Sequence, residues 1–514
     1  MSNTKRTTVN LVSSLMVLAT SLVISFFLSP FIVDNIGVEA NGFVALANNF
    51  VTYAALLVTA LNSMAARFIS IAYVQRDYKK ANLYYNSVFW GNLIIVVVLL
   101  LPAALLVAKL EYVVDIPSEI VLDVKLLFSF VFMNFFLMTG LPNWDCGTYV
   151  TNRLERKYIP NMLAAILKCG VLFCMMLLLT PRVWYVGLAA SLVTIIGLIV
   201  AWYNTHTLTP ELRIHLKKGE VQYSGEAIKE LVGSGIWNSI SSVGIMLLSG
   251  LDLVICNLAL GATSMGILSL SKTLPNHMQQ LSSSIQGAFA PELTINYAKG
   301  DKGAVLLDVN RAMKMTSILL TIPIAIIVVL GDCFFALWVP SQDAKLLQVL
   351  SVLAILGYMF TSGTQILYNV FPTVNKVRQN AIAVLISGAA STAVVLLLLR
   401  FTDYGIFAVA GVSTVANLVR NMTFTVPYAA KYLGFSWHKF FPQVGITVLS
   451  SVVMIVGGYL LKPCLPQGSW WSLILSAAVI GVLGLIMNLF LVLNKAERAY
   501  LAGKLWRRFR RHAK

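Results

Sequence analysis

Residues 84–108 read YYNSVFWGNLIIVVVLLLPAALLVA, a stretch with no charge anywhere and no polar side chain from Leu93 onward. The hydrocarbon core of a bilayer is about 30 Å thick and takes about 20 apolar residues in helical form. Within lipid every backbone amide must find its partner in its own segment or in a closed sheet, so a run of this length reads as a membrane-spanning helix. The same texture recurs on both sides of it. Apolar runs separated by charged or turn-rich breaks fall at 9–33, 42–65, 84–108, 124–150, 159–180, 184–205 and 231–257, and again at 262–289, 309–330, 345–370, 379–399, 405–427, 442–461 and 470–494. These are spans 1 to 14.

Composition agrees. Of 514 residues, 58% are hydrophobic and 11% are charged, with a mean hydropathy of +0.80. A soluble domain carries about 25% charged residues, so a soluble enzyme is excluded. The six cysteines (Cys146, Cys169, Cys174, Cys256, Cys333, Cys464) lack metal-ligand spacing, and the five histidines form no cluster. No metal or cofactor is expected. Span 1 follows Lys5 and Arg6 and is longer than a signal-peptide core of about 7–15 residues, so it reads as a retained helix.

Basic residues orient the chain. With the N-terminus inside, thirty of the 38 Lys and Arg fall in inner loops and tails, six in outer loops, and two, Lys168 and Lys272, inside spans. The positive-inside rule then puts both termini in the cytoplasm. The net charge of +17 reflects topology and anionic inner-leaflet lipid, with no role for nucleic acid. In the tail, Leu501, Leu505 and Phe509 lie at helical spacing among arginines, which reads as an interfacial anchor or, alternatively, a partner-docking helix.

The two halves echo each other. Gly37-x4-Gly42 opens span 2 and Gly261-x4-Gly266 opens span 8, an offset of 224 that also pairs Tyr73 with Tyr297 and Asp77 with Asp301. An offset of 219 pairs Tyr149 with Tyr368, Lys157 with Lys376 and Asn161 with Asn380; Gly187 and Gly405 open spans 6 and 12. The expected fold is an all-α polytopic membrane protein with about 14 transmembrane helices, in two parallel six-helix repeats. The lobes are residues 1–215 and 216–430, followed by spans 13 and 14 in 431–494 and a basic tail, 495–514.

Polar stripes interrupt the apolar spans. Span 8 carries Ser269, Lys272, Asn276, Gln279, Gln280 and Ser283 on one helical face, with Pro275 as a kink. Lys272 lies about 15 Å below the outer end at 1.5 Å per residue. A charge at that depth costs about 2.5–3.5 kcal/mol, which points to a wet surrounding. Span 2 shows Asn48, Thr52, Thr59, Asn62 and Ser63, span 7 shows Asn238, Ser241, Ser242, Ser249 and Asp252, and span 10 shows Tyr358, Thr361, Ser362, Gln365 and Tyr368. Faces from both halves can line one central cavity. The alternatives are plainer. Ser and Thr faces also serve as helix-packing glue, Lys272 and Asp252 can form a structural ion pair, Lys168 can snorkel inward, and Arg67 and Arg420 can be interfacial charges. On the functional reading, Lys272, Lys168 and Arg67 hold an anion, and Asn276, Gln279, Gln280, Asn48 and Asn62 bond sugar hydroxyls.

The Gly37-x4-Gly42 turn, Arg67-Phe68-Ile69-Ser70 leading to Arg76-Asp77, and Leu251-Asp252-Leu253-Val254 with Gly261-x4-Gly266 resemble the polysaccharide (Wzx-type) flippase family. That family belongs to the multidrug/oligosaccharidyl-lipid/polysaccharide exporter superfamily, which also holds multidrug extruders and the lipid II flippase. The resemblance implies two six-helix lobes alternating about a cavity, and a cargo of polyprenyl-pyrophosphate-linked oligosaccharide crossing the bacterial inner membrane. It puts the family's cavity basic residue of span 8 on Lys272. Relatives often carry arginines in span 1, whereas none occurs between Thr7 and Val33. A monomer is expected, meeting its lipid-linked glycan, membrane lipids and glycan-assembly proteins. No chemical conversion is expected, and Na+ or H+ coupling would fall to Asp252.

Two other functions stay open. A cation-coupled multidrug antiporter of the same superfamily needs deep acids in the first lobe, where spans 1–3 hold none and span 4 has Asp145 toward its inner end. A membrane glycan polymerase or transferase needs a large outer catalytic loop or a buried His or acid pair, and the outer loops are short.

Overall fold

A computed structural model describes residues 3–141, 146–151, 153–214, 223–466, 468–495 and 497–498. The tail anchor expected around Leu501–Phe509, and Asp145, lie outside the described residues. Among those described the secondary structure is helical throughout, with no strand. Twelve segments among the described residues are long and apolar enough to cross a membrane. One of these, 225–271, joins span 7 to the first part of span 8 through a turn at Gly261. The rest of span 8, Thr273–Ala298, is too polar to count, and span 12 is cut short by a π-turn. Restoring both gives fourteen helical rods among the described residues, in the order the sequence implies.

One expectation fails in detail. Span 4 does not run to residue 150: its helix ends at Gly140, and a separate short helix covers Cys146–Val150. Leu141 is extended, φ −82° and ψ 155°, because the residue before a proline is pushed out of the α region, and Pro142 follows it.

The repeat is visible in local geometry. Gly37 and Gly261 both have positive φ, 118° and 87°, conformations open to glycine at little steric cost. Each lets one helix end and the next begin. Span 2 then runs Val38–Val74. At the inner ends Arg76 and Gly300, again 224 apart, both have positive φ, and Asp77 and Asp301 cap the next helices through the amides of Lys80 and Ala304 at 3.0 and 2.9 Å. Those helices are Tyr78–Ala108 and Lys302–Trp338.

The chain divides into two compact units, Met1–Met246 with Gly250–Ser269, and Leu247–Ser249 with Leu270–Lys514. In the first, span 2 packs backbone to backbone against span 7 and against the opening turns of span 8. A Cβ on Gly235 would come within 2.0 Å of the Ala60 carbonyl oxygen, and one on Gly266 within 2.4 Å of the Val38 oxygen; Gly42 faces Gly266 in the same way. In membranes, where hydrophobic sorting between helices is weak, such small-residue contacts carry the packing. In the second unit, spans 13 and 14, helices Phe441–Leu461 and Trp470–Leu491, dock on span 9 through buried polar side chains. Asn488 donates to Thr321 Oγ1 at 2.9 Å and accepts from Ser450, and the Ser317 and Thr447 hydroxyls lie 2.6 Å apart. Lys314 pairs with Glu497 and Lys462 with Asp332, at 2.7 and 2.6 Å.

Candidate functional site

Span 8 is the least lipid-like part of the chain, and its shape follows from one residue. A proline removes the amide that would bond the carbonyl four residues earlier, and its ring crowds that carbonyl. Pro275 therefore orphans the Ser271 oxygen, and the helix breaks there. One segment ends at Ser271 and the next starts at Thr273, with Lys272 at the junction. The orphaned oxygen accepts instead from Ser351 Oγ of span 10, at 2.6 Å. An unbonded carbonyl in a dry interior would cost about 1–3 kcal/mol, so this hydroxyl makes the break tolerable.

Lys272 Nζ lies 3.5 Å from the Ser249 carbonyl. Ser249 belongs to the π-turn Met246–Gly250 of span 7, where the wider turn loosens the usual carbonyl pairing. Beyond the break, Asn276, Gln279, Gln280 and Ser283 are all exposed, on one face as the spacing implies. Ser283 and Ser284 return their hydroxyls to the carbonyls of Gln279 and Gln280. Further in, Gln286 Nε2 meets Gln365 Oε1 at 3.4 Å, and Asn369 donates to the Gln286 carbonyl at 2.8 Å. Amides thus continue from span 8 onto span 10 within the second unit.

In the first unit the candidates are scattered. Asn48 is exposed, but its amide turns back to the Val44 carbonyl at 2.8 Å. Asn62 Oδ1 accepts from the buried Asn92 of span 3 at 2.9 Å, which is helix-to-helix bonding. Arg67 is exposed and Lys168 half-buried; neither makes a hydrogen bond or ion pair among the described residues. Lys168 is thirteen residues into the helix Glu155–Leu178, about 20 Å from its inner end at 1.5 Å per residue, which is beyond the reach of a snorkelling side chain. Asp252 is 3% exposed, at the start of the helix that follows the π-turn. Sequence reasoning passed over Asn49 and Tyr53, which both donate to the Gly250 carbonyl at that turn. They sit on another face of span 2 from the stripe first read. Their one signal was polarity inside a span.

No known family model matches the chain. Over 498 residues it is 27% identical to the "Uncharacterized membrane protein EpsK" of Bacillus subtilis (strain 168), covering 96% of each chain. Among solved structures it is similar to the lipid II flippase MurJ in an inward closed conformation, at TM-score 0.63 and 14% identity, over 93% of this chain and 97% of that one. It is also similar to an inward-facing multidrug resistance MATE family transporter of the MOP superfamily, at TM-score 0.60 and 13% identity, over 82% and 94%. The fold is that of the MOP-superfamily transporters, and the protein is a multi-pass membrane protein.

Proposed function

We propose that this protein is a flippase, moving a polyprenyl-pyrophosphate-linked oligosaccharide across a bacterial cytoplasmic membrane with both termini in the cytoplasm. The observation that carries the reading is the exposed amide face of span 8 beneath a mid-depth lysine. Lipid tails offer an amide nothing to bond, so this face suits water and sugar hydroxyls. Lys272 would hold the pyrophosphate as a compact point charge, while Asn276, Gln279 and Gln280 bond the glycan and the polyprenyl tail stays in the bilayer. The two repeats would rock about this path, making and breaking no covalent bond. Asp252, buried beside a loosened turn, is the group proposed to couple movement to a proton or sodium gradient. One elementary charge moved through 100 mV supplies about 2.3 kcal/mol. The thirty-to-six division of basic residues supports the orientation, and the similarity to a lipid II flippase supports a lipid-linked cargo.

The similarity to a multidrug transporter favours a second reading, export of organic cations. Vesicles reconstituted with the protein and a fluorescent polyprenyl-pyrophosphate glycan separate the two. Transbilayer movement of the unaltered glycan supports the flippase. Glycan left in place while organic cations are exported contradicts it.

A further inference from the structure

Span 12 contains a further intramembrane cation, beyond Lys168 and Lys272. Its rod runs Ile406–Arg420, a π-turn Asn421–Thr425 and Val426–Tyr432. The sequence placed the inner end near residue 427 and let Arg420 pass as an interfacial charge. The rod in fact continues to Tyr432, so Arg420 stands about 18 Å from its inner end at 1.5 Å per residue. By the same rise it lies about 22 Å below the outer turn at Gly405, roughly one helical turn further in than Lys272 below Gly261.

The surroundings of Arg420 form a closed ring of hydrogen bonds. One Nη donates to the Tyr368 hydroxyl at 2.8 Å and to Asn417 Oδ1 at 2.7 Å. The Tyr368 hydroxyl donates to Asn421 Oδ1 at 2.7 Å, and Asn421 Nδ2 donates to Asn417 Oδ1 and to its backbone carbonyl, at 3.2 and 2.8 Å. The guanidinium lies 5.3 Å from the centre of the Tyr368 ring, within cation–π range. Asn421 is fully buried and opens the π-turn, a local insertion frequent at functional sites. Every partner in the ring is neutral. Among the described residues no carboxylate pairs with Arg420, and its Nε is buried without a hydrogen bond. Lys314 and Lys462 differ, each held by an acid. An intramembrane arginine fixed along one edge by neutral groups, with its other Nη uncommitted, is prepared for an oxyanion from outside the chain.

We infer that Arg420, positioned by Tyr368, Asn417 and Asn421, is an anion-binding residue for the phosphate-type headgroup of the cargo, a second station one turn inward of Lys272. This rests on the lipid-linked pyrophosphate reading.

The test is ligand-induced thermal stabilisation of the purified full chain, titrated with farnesyl pyrophosphate, inorganic pyrophosphate and phosphatidylglycerol. Farnesyl pyrophosphate is expected to stabilise the wild type. Arg420→Gln should weaken that binding by about tenfold or more, the scale of one charge-assisted hydrogen bond, with Arg420→Lys in between. Tyr368→Phe, which keeps the ring and removes the acceptor, should weaken it severalfold. If Arg420→Gln does not fold, Tyr368→Phe and Arg420→Lys decide. Wild-type binding with unchanged affinity in the folded variants overturns this inference and leaves the flippase reading intact. No binding to the wild type removes both. Stabilisation by phosphatidylglycerol alone, lost in Arg420→Gln, makes the site one for bulk lipid and overturns the assignment to cargo.

Discussion

Spans 2 and 8 occupy the same place in the repeat and have been put to opposite uses. At the offset of 224, Asn48 corresponds to Lys272, Val51 to Pro275, and Ala55 and Leu56 to Gln279 and Gln280. Span 2 has no proline and runs unbroken over Val38–Val74. Its amides are spent inside the first unit: Asn48 on its own helix, Asn49 on Gly250, Asn62 on Asn92. Span 8 is cut at Lys272, and its amides beyond the cut are exposed. The glycine turns and aspartate caps that frame the two rods match, so the difference lies in the side chains between them. A shared scaffold supplies the fold, and on the proposed reading one copy has been turned from packing to binding.

The sharpest way to break this comparison is to exchange its two ends. Lys272→Ala should lower glycan transport in reconstituted vesicles by about 10- to 100-fold, the scale of a lost charge-assisted bond. Asn48→Ala should stay within about twofold, because its amide serves its own helix. Equal losses would mean that both rods bind cargo. Packing gives the next contrast. Gly235→Ala places a methyl against the Ala60 carbonyl and should cost about 1–3 kcal/mol in unfolding of the purified protein. Gly287→Ala on span 8, where nothing lies within 4 Å of the added carbon, should stay within about 0.5 kcal/mol.

The proline break gives a smaller and more diagnostic effect. Ser351→Ala should destabilise the wild type by about 1 kcal/mol. In a Pro275→Ala background, where residue 275 regains its amide, it should cost measurably less. Additive losses in that double-mutant cycle would mean that Ser351 does not compensate for the proline. Smallest are the caps. Asp77→Ala and Asp301→Ala should each cost about 1 kcal/mol in unfolding, and a clear difference between them would weaken the equivalence of the two frames.

Much of the fold was legible because hydrocarbon leaves the backbone one solution for a long apolar run. Glycines with positive φ and capping aspartates then marked where the runs turn. The exposed face of span 8 was legible through the three- and four-residue spacing of its polar groups. What escaped depends on neighbours. Asn62 and Asn276 are the same residue type inside a span, and only the presence of Asn92 beside one tells glue from an open amide. The π-turns at Met246 and Asn421 leave no distinctive composition, so neither the carbonyl that draws Asn49 and Tyr53 nor the depth of Arg420 could be read in advance. The break after Gly140 was written in Leu141-Pro142 and was overrun by the apolar texture around it.

The central claim is that the amide face of span 8 meets water within the membrane. Single cysteines at Asn276, Gln279 and Gln280, placed in a background with the six native cysteines replaced, can be exposed to a membrane-impermeant thiol reagent in intact cells or inverted vesicles. The account predicts rapid modification at all three, slowed by the lipid-linked glycan, and none at Val97, an exposed apolar position on span 3. Span 8 cysteines as inert as the one at Val97, from both sides of the membrane, would contradict it.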